Sequence, residues 1–156
     1  MKTRKSWKEK FEVAVKGLPK VVDVPPTWQK RMGGSRILVP TPKLVDTVIR
    51  KVPKGKLITA AQIRAKLAAD FKADSTCPLT LGIFLRIISE YMEELRGKGQ
   101  NNISPYWRVI KDDGKLNAKY PGGISSHAKL LRQEGYQITG KDDKARVADY
   151  EKSLVS

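Results

Sequence analysis

A single cysteine and a large surplus of cations bound the chemistry open to this chain. Cys77 has no second cysteine for an internal disulfide and no companion for a zinc cluster, so a reducing, cytoplasmic setting is expected and no redox role follows. Tyrosine is a weak substitute nucleophile, because a phenol with an unperturbed pKa of about 10 is scarcely ionised near neutral pH. The cations are the stronger signal: 31 Lys+Arg stand against 16 Asp+Glu, a formal net charge of +15. A surplus of that size attracts a polyanion whatever the fold, and nucleic acid is the first candidate. No cofactor and no metal site is expected.

Ribosomal or tail-like proteins are equally basic but poor in apolar residues. Here 40% of the residues are hydrophobic, and they recur with helical and strand-like spacing, which predicts a folded binder. Glu9 and Glu12 interrupt the basic start before any apolar run, so no signal peptide is expected, and no stretch approaches the roughly 18 apolar residues of a membrane span. A soluble monomer without membrane contact is the expectation.

Particular elements must carry these charges. Residues 1–36 hold ten Lys/Arg against three Asp/Glu, a net of +7, and read as a basic N-terminal extension that contacts phosphate. Trp7, Phe11, Val15 and Leu18 fall at helical spacing, predicting a short amphipathic helix packed on the main domain. Five prolines and Gly33-Gly34 punctuate residues 19–42, which predicts an extended connector over the surface. The main domain is placed at residues 37–140. Residues 141–156 form a tail that would be helical through Val147, Tyr150 and Leu154.

Within the main domain, Thr41-Pro42 gives a cap followed by proline in the first turn of a helix whose apolar face is Leu44, Val45, Val48, Ile49 and Val52. Thr59 and Gln62 form a capping box for a second helix, with Ile63, Leu67 and Phe71 inward. Pro78 opens a third, longer helix with Leu79, Ile83, Ile87, Tyr91 and Leu95 at regular spacing. Helix, short link, helix is the helix-turn-helix pattern. Tyr106 to Ile110 is β-rich, and Asp113-Gly114 predicts a hairpin returning through Leu116 and Tyr120, which would be a wing. Gly122-Gly123 marks a break before a closing helix over residues 124–134, with Leu130 and Leu131 buried and Gly135 as its stop. The predicted fold is mostly α with a small β-hairpin wing.

Four ordered motifs carry this reading further. Pro105-Tyr106-Trp107-Arg108-Val109 is followed by Asp113-Gly114, by Tyr120-Pro121-Gly122-Gly123 and by Leu130-Leu131-Arg132-Gln133-Glu134-Gly135. The run resembles the active-site region of the alkylguanine-DNA alkyltransferases: Pro-Cys-His-Arg-Val, then Asp-Gly, Tyr-x-Gly-Gly and Leu-Leu-x-x-Glu-Gly. Upstream, residues 52–56, the Thr59 cap and the Gly82 to Arg86 spacing resemble the loop, the first motif helix and the Gly-x-x-x-Arg of that family. The resemblance covers residues 44–138 and implies a winged helix-turn-helix domain of the alkylguanine-DNA alkyltransferase type.

That family transfers an alkyl group from guanine to the cysteine thiolate, with the neighbouring histidine relaying a proton to a glutamate. Tyr106 and Trp107 stand at those two positions while Arg108 and Glu134 remain, so no catalytic residue and no transfer are expected. Cys77 maps to the start of the third helix, as a small core residue. The resemblance implies that the third helix enters the minor groove, that a nucleotide rotates into the pocket, and that Arg86 fills the vacated stack; flipping costs a few kcal/mol, least for a damaged base. Thr59, Thr80, Phe84, Arg108 and Lys119 would join Arg86 at the DNA, and Tyr106, Trp107, Tyr120, Pro121 and Glu134 would wall the lesion pocket. The chain departs from the family pattern at Ala60, Phe84, Ile87-Ile88 and Trp107. A ring at Phe84 would either wedge a base step or block the fit. Alkyltransferase-like relatives, which also lack the cysteine, hold alkylated guanine and recruit excision repair. The expectation is thus non-enzymatic binding of duplex DNA, with recognition of alkylated guanine by nucleotide flipping and a repair protein as a further partner. The alternative is a DNA-binding or protein-interaction scaffold whose pocket is closed.

Overall fold

Three helices, two of them capped by a threonine side chain, build the core of the chain, and a computed structural model describes residues 5–13 and 16–156. Val15, expected on the stripe of the first helix, lies outside the described residues. Helix α1 spans Trp7–Glu12 and helix α2 Pro26–Met32. Helix α3 spans Pro42–Arg50, where the Thr41 hydroxyl accepts from the Leu44 amide at 3.2 Å and Pro42 occupies the first turn. Helix α4, Ala60–Asp70, starts on the expected capping box: the Gln62 amide donates to the Thr59 hydroxyl at 3.1 Å, and the Thr59 amide donates to the Gln62 side chain at 3.0 Å. Helix α5, Pro78–Gly97, is the long one, and α6 runs over Gly123–Gln133. None of the described helices is long and apolar enough to cross a membrane.

Val45 and Ile49 of α3, Ile63 and Leu67 of α4 and Leu81, Leu85, Ile88 and Met92 of α5 bury together. The stripe expected on α5 differs in its first half: Leu79 is 57% and Ile83 61% exposed. The cause is geometric. A series spaced strictly by four overshoots a full helical turn by about 40° at each step, so it spirals from solvent at Leu79 to the core at Ile87, whereas the alternating four-three-four series at Leu81 stays on one face.

The connector expected over residues 19–42 is instead structured. Strand β1, Lys20–Asp23, pairs antiparallel with β2, Arg36–Val39, in the register Lys20↔Val39 to Asp23↔Arg36. The prolines stand at the edges of these elements, before β1, at the start of α2, after β2 and in the first turn of α3, so they delimit structure where an extended reading had them dissolve it. The boundary placed at Ile37 therefore falls inside β2. With β3 at Ile58–Thr59 and β4 at Ser75–Thr76, a parallel pairing of β2 to β4 carries this sheet into the link between α4 and α5. Asp74 in that link accepts from the Ser35 amide and hydroxyl and the Arg36 amide at 2.9–3.1 Å, which holds its carboxyl below the usual range. Gly34 is required there, since a Cβ would meet the Asp74 side chain at 2.4 Å.

The wing is small. Tyr106–Arg108 forms a 3-10 turn, and β5, Val109–Ile110, pairs in parallel with β3. The turn at Asp113-Gly114 forms, with the Lys111 amide donating to the Lys115 carbonyl at 3.0 Å, but no hairpin follows. Ile110 and Leu116 both point into a second core cluster with Leu57, Leu131 and Val147, which draws the returning chain to Ala145 and Arg146. Strands β6, Ile138–Thr139, and β7, Arg146–Val147, pair antiparallel beside it. The tail is not the expected amphipathic helix. Ala145 and Val147 point inward with a period of two, and 3-10 turns at Asp142–Lys144 and Tyr150–Ser153 lead to Leu154 and Val155, which run alongside Leu57.

Candidate nucleic-acid interface

Helix α5 presents one uncovered face, and α1 stands beside it. The Ser6–Glu9 capping box starts α1, and Phe11 seats it against Tyr91 of α5 at a ring separation of 5.1 Å. Trp7 and Lys10 of α1 then line one side of a groove of about 790 Å³, with Leu79, Gly82, Ile83 and Arg86 of α5 on the other and Lys119 at its edge. The Trp7 ring carries two cations, Lys10 at 4.4 Å and the Arg86 guanidinium at 5.6 Å from its centre. Such contacts contribute about 0.5–1 kcal/mol at an exposed site, enough to bias where Arg86 points. Among the described residues, the ion pairs involve none of Lys10, Arg86 and Lys119. These cations are therefore open to an anion.

Of the residues expected at DNA, Arg86 and Lys119 meet in this groove and the others do not. Thr59 is buried, its hydroxyl engaged as the helix cap. The neighbouring Ala61 amide, which could face a phosphate at the start of α4, donates instead to the Asp112 carboxylate at 2.8 Å. Thr80 turns back to Cys77 at 3.2 Å, and Cys77 is buried at the start of α5 as expected. Phe84 is half-buried, packed against the core and outside the groove lining. Arg108 is a clamp, donating to both Glu134 oxygens at 2.9 and 2.6 Å and to the Val52 carbonyl at 2.7 Å. Burial raises the Glu134 carboxyl, and Arg108 more than offsets it, holding the group below its ordinary value.

The residues expected to wall a lesion pocket divide as well. Tyr106 packs edge-on against Trp107 and Tyr120 at 5.4 and 5.1 Å, and Tyr120 stacks at a tilt on His127 at 4.9 Å. These rings form a knot that closes on itself. Beside it a hollow of about 340 Å³ remains open, lined by Glu93, Arg96, Tyr106, Pro121, Gly122, Ser126, Lys129, Leu130 and Gln133. Trp107, Tyr120 and Glu134 lie outside that lining. Gly122 shapes the rim, because its φ of +79° disfavours other residues and a Cβ would strike the Ser126 hydroxyl at 2.0 Å. The Tyr106 phenol donates to the Glu93 carboxylate. Burial, reinforced by that carboxylate, pushes its pKa far above the ordinary value, so no phenolate nucleophile is available at neutral pH.

Groove and hollow are neighbours along α5. From Arg86 to Glu93 the helix rises by about 10 Å, and Lys119 and Pro121 belong to one short segment that borders both. No protein-family model matches the chain, and no curated protein matches its sequence. In three dimensions it is similar to S. pombe Atl1 solved in complex with damaged DNA containing O6-carboxymethylguanine, with a TM-score of 0.51 over 74% of this chain and 94% of that one at 15% identity. The chain has the fold of an alkyltransferase-like protein. A second structure, of S. pombe ATL in complex with DNA, gives a TM-score of 0.50 at 16% identity with the same coverage.

On this alkyltransferase-like fold several residues matter that no sequence motif marks. Arg64 of α4 donates to the Thr76 carbonyl at 3.0 Å, the Ser75 hydroxyl at 3.0 Å and the Met32 carbonyl at 3.3 Å, tying the link before α5 to the end of α2. His127 accepts from the Asn117 amide at Nδ1, 3.0 Å, and its Nε2 faces the Trp107 carbonyl at 2.8 Å, which makes it the neutral Nε2–H tautomer. Burial pushes its pKa down to about 4 against the opposing pull of that carbonyl. Trp7, expected on the apolar stripe of a helix packed on the main domain, lines the α5 groove, and Lys10 joins it there.

Proposed function

We propose that this chain binds duplex DNA without enzymatic turnover, presenting the α5 groove to the duplex and the hollow beside Tyr106 to an alkylated guanine rotated out of the stack, in the context of DNA repair. The observation that carries this reading is the juxtaposition of an open cationic groove with an adjoining hollow on one helix. The likeness to a chain solved on damaged DNA supports it. A hollow of about 340 Å³ is within the range of small-molecule sites, and its Glu93, Arg96, Ser126 and Gln133 offer both donors and acceptors to a base edge. A protonated Tyr106 and a buried Cys77 support the absence of transfer chemistry. A reducing, cytoplasmic setting and a monomeric state complete the proposal.

The deciding experiment is an anisotropy titration of two matched short duplexes, one with a single O6-alkylguanine, at near-physiological salt. Tighter binding to the alkylated duplex is expected. An unchanged intact mass after long incubation with that duplex is expected in parallel, and covalent labelling of Tyr106 or Cys77 would refute the non-enzymatic reading. The knot of Tyr106, Trp107 and Tyr120 favours one second reading, in which the fold serves as a DNA-binding scaffold without lesion recognition. Equal binding of the two duplexes would select it, and binding of neither would point to a protein partner.

A further inference from the structure

The face of α5 that borders the groove carries two large apolar side chains that stand mostly exposed among the described residues. Leu79 and Ile83 are 57% and 61% exposed, and among the described residues Trp28, at 43%, is the other large hydrophobic residue so placed. They sit one turn apart, about 6 Å along the axis, and Gly82 between them has open space where a side chain would stand. The same helix buries Leu81, Leu85, Ile88 and Met92, so exposure of this pair is local and not a general failure of sorting. Cations rim it: Lys10, Arg86 and Lys119 line the same groove. Protein interfaces also ring an apolar core with polar residues, but the charged residues of this rim are all cations, which fits a polyanion with an apolar interior. In a duplex that interior is the base stack, which minor-groove proteins enter with Leu, Ile, Met or Phe pushed between base steps.

We infer that Leu79 and Ile83 form an apolar wedge that enters the base stack of duplex DNA and unstacks it, while Lys10, Arg86 and Lys119 hold the flanking phosphates. The inference rests on the DNA-binding reading above and gives the stack-filling role to the apolar pair in place of Arg86. The Arg86 guanidinium, drawn over Trp7, is then a backbone contact.

The test uses the full chain and a short duplex that carries 2-aminopurine at its centre and a donor–acceptor dye pair at its ends. Wild-type protein is expected to raise the 2-aminopurine emission and to shorten the end-to-end distance. The Leu79→Ala/Ile83→Ala double variant is expected to lose both signals and about tenfold in affinity, as two apolar side chains leave a buried contact, with an unchanged slope of log affinity against log salt. Arg86→Ala is expected to keep the unstacking signal and lose about one unit of that slope. Both variants change exposed positions, and a thermal melt verifies that they fold. Binding by wild type without unstacking, or unstacking retained in the double variant, would overturn the wedge and leave DNA binding intact. A loss of affinity confined to thymine-bearing duplexes, with no unstacking by wild type, would replace the wedge by methyl contacts in the major groove. Failure of wild type to bind any duplex would remove both readings.

Discussion

His127 is held neutral at the point where the wing, the closing helix and the aromatic knot converge, and its titration becomes a property of the fold. Its pKa falls from 6.5 to about 4 on folding, so below pH 6.5 the unfolded chain takes up a proton that the folded chain refuses. The stability this group provides is complete above about pH 6.5 and is lost as pH falls towards 4, amounting to roughly 3 kcal/mol across that window. Urea unfolding at pH 7 and pH 5 is expected to show a clear drop in midpoint, and His127→Gln to flatten the difference whatever its effect at pH 7. Arg108 and Glu134, with side chains 13% and 10% exposed, make the second prediction. Glu134→Ala leaves a nearly buried guanidinium unpaired and is expected to cost about 3 kcal/mol or more in the same assay, with no selective loss for one duplex over another. A DNA-contacting Arg108 would instead lose affinity with stability intact.

At the level of elements, the helix-turn-helix stands on Arg64 as much as on its two helices. Arg64→Ala withdraws three donors from the link before α5 and is expected to destabilise the chain by about 2 kcal/mol, read as a lowered melting temperature with faster amide exchange at residues 75–77. Trp7→Ala is expected to leave the melt nearly unchanged while it weakens binding to alkylated and plain duplexes alike, because it removes one side of the groove and not the core. The three core helices were legible in the sequence because each starts on local chemistry: Thr41 with Pro42, Thr59 with Gln62, and Pro78; α2, inside the stretch expected to be extended, was not. The sheet pairings were not, because β3, β4 and β5 are two residues long and pair with partners far along the chain, so even where the β-rich run at Tyr106 to Ile110 was legible its partner was not. The site was legible in part. Arg86, Lys119, Tyr106 and Pro121 line the two cavities, but motif spacing cannot tell an arginine that faces solvent from one, like Arg108, that clamps a glutamate.

Over the whole molecule, charge sets the range and the salt sensitivity of any encounter. A chain of net charge +15 is expected to bind DNA with an affinity that falls linearly in log–log form with salt, by about 0.9 unit of slope for each phosphate neutralised. Replacing Lys5, Lys8 and Lys10 by Ala is expected to lower that slope and to reduce affinity for alkylated and plain duplexes by the same factor. The three-stranded sheet bears on the whole molecule in a different way. Strand β2 is central, with β1 on one side and β4 on the other, and its Ile37 and Leu38 are almost completely buried. A chain beginning at Ile37 would strip β1 away and leave β2 as a bare apolar edge, free to recruit the same edge of another molecule. Strand β1 thus covers an edge that would otherwise be open to pairing, and it could not be trimmed as part of a dispensable tail without exposing that edge.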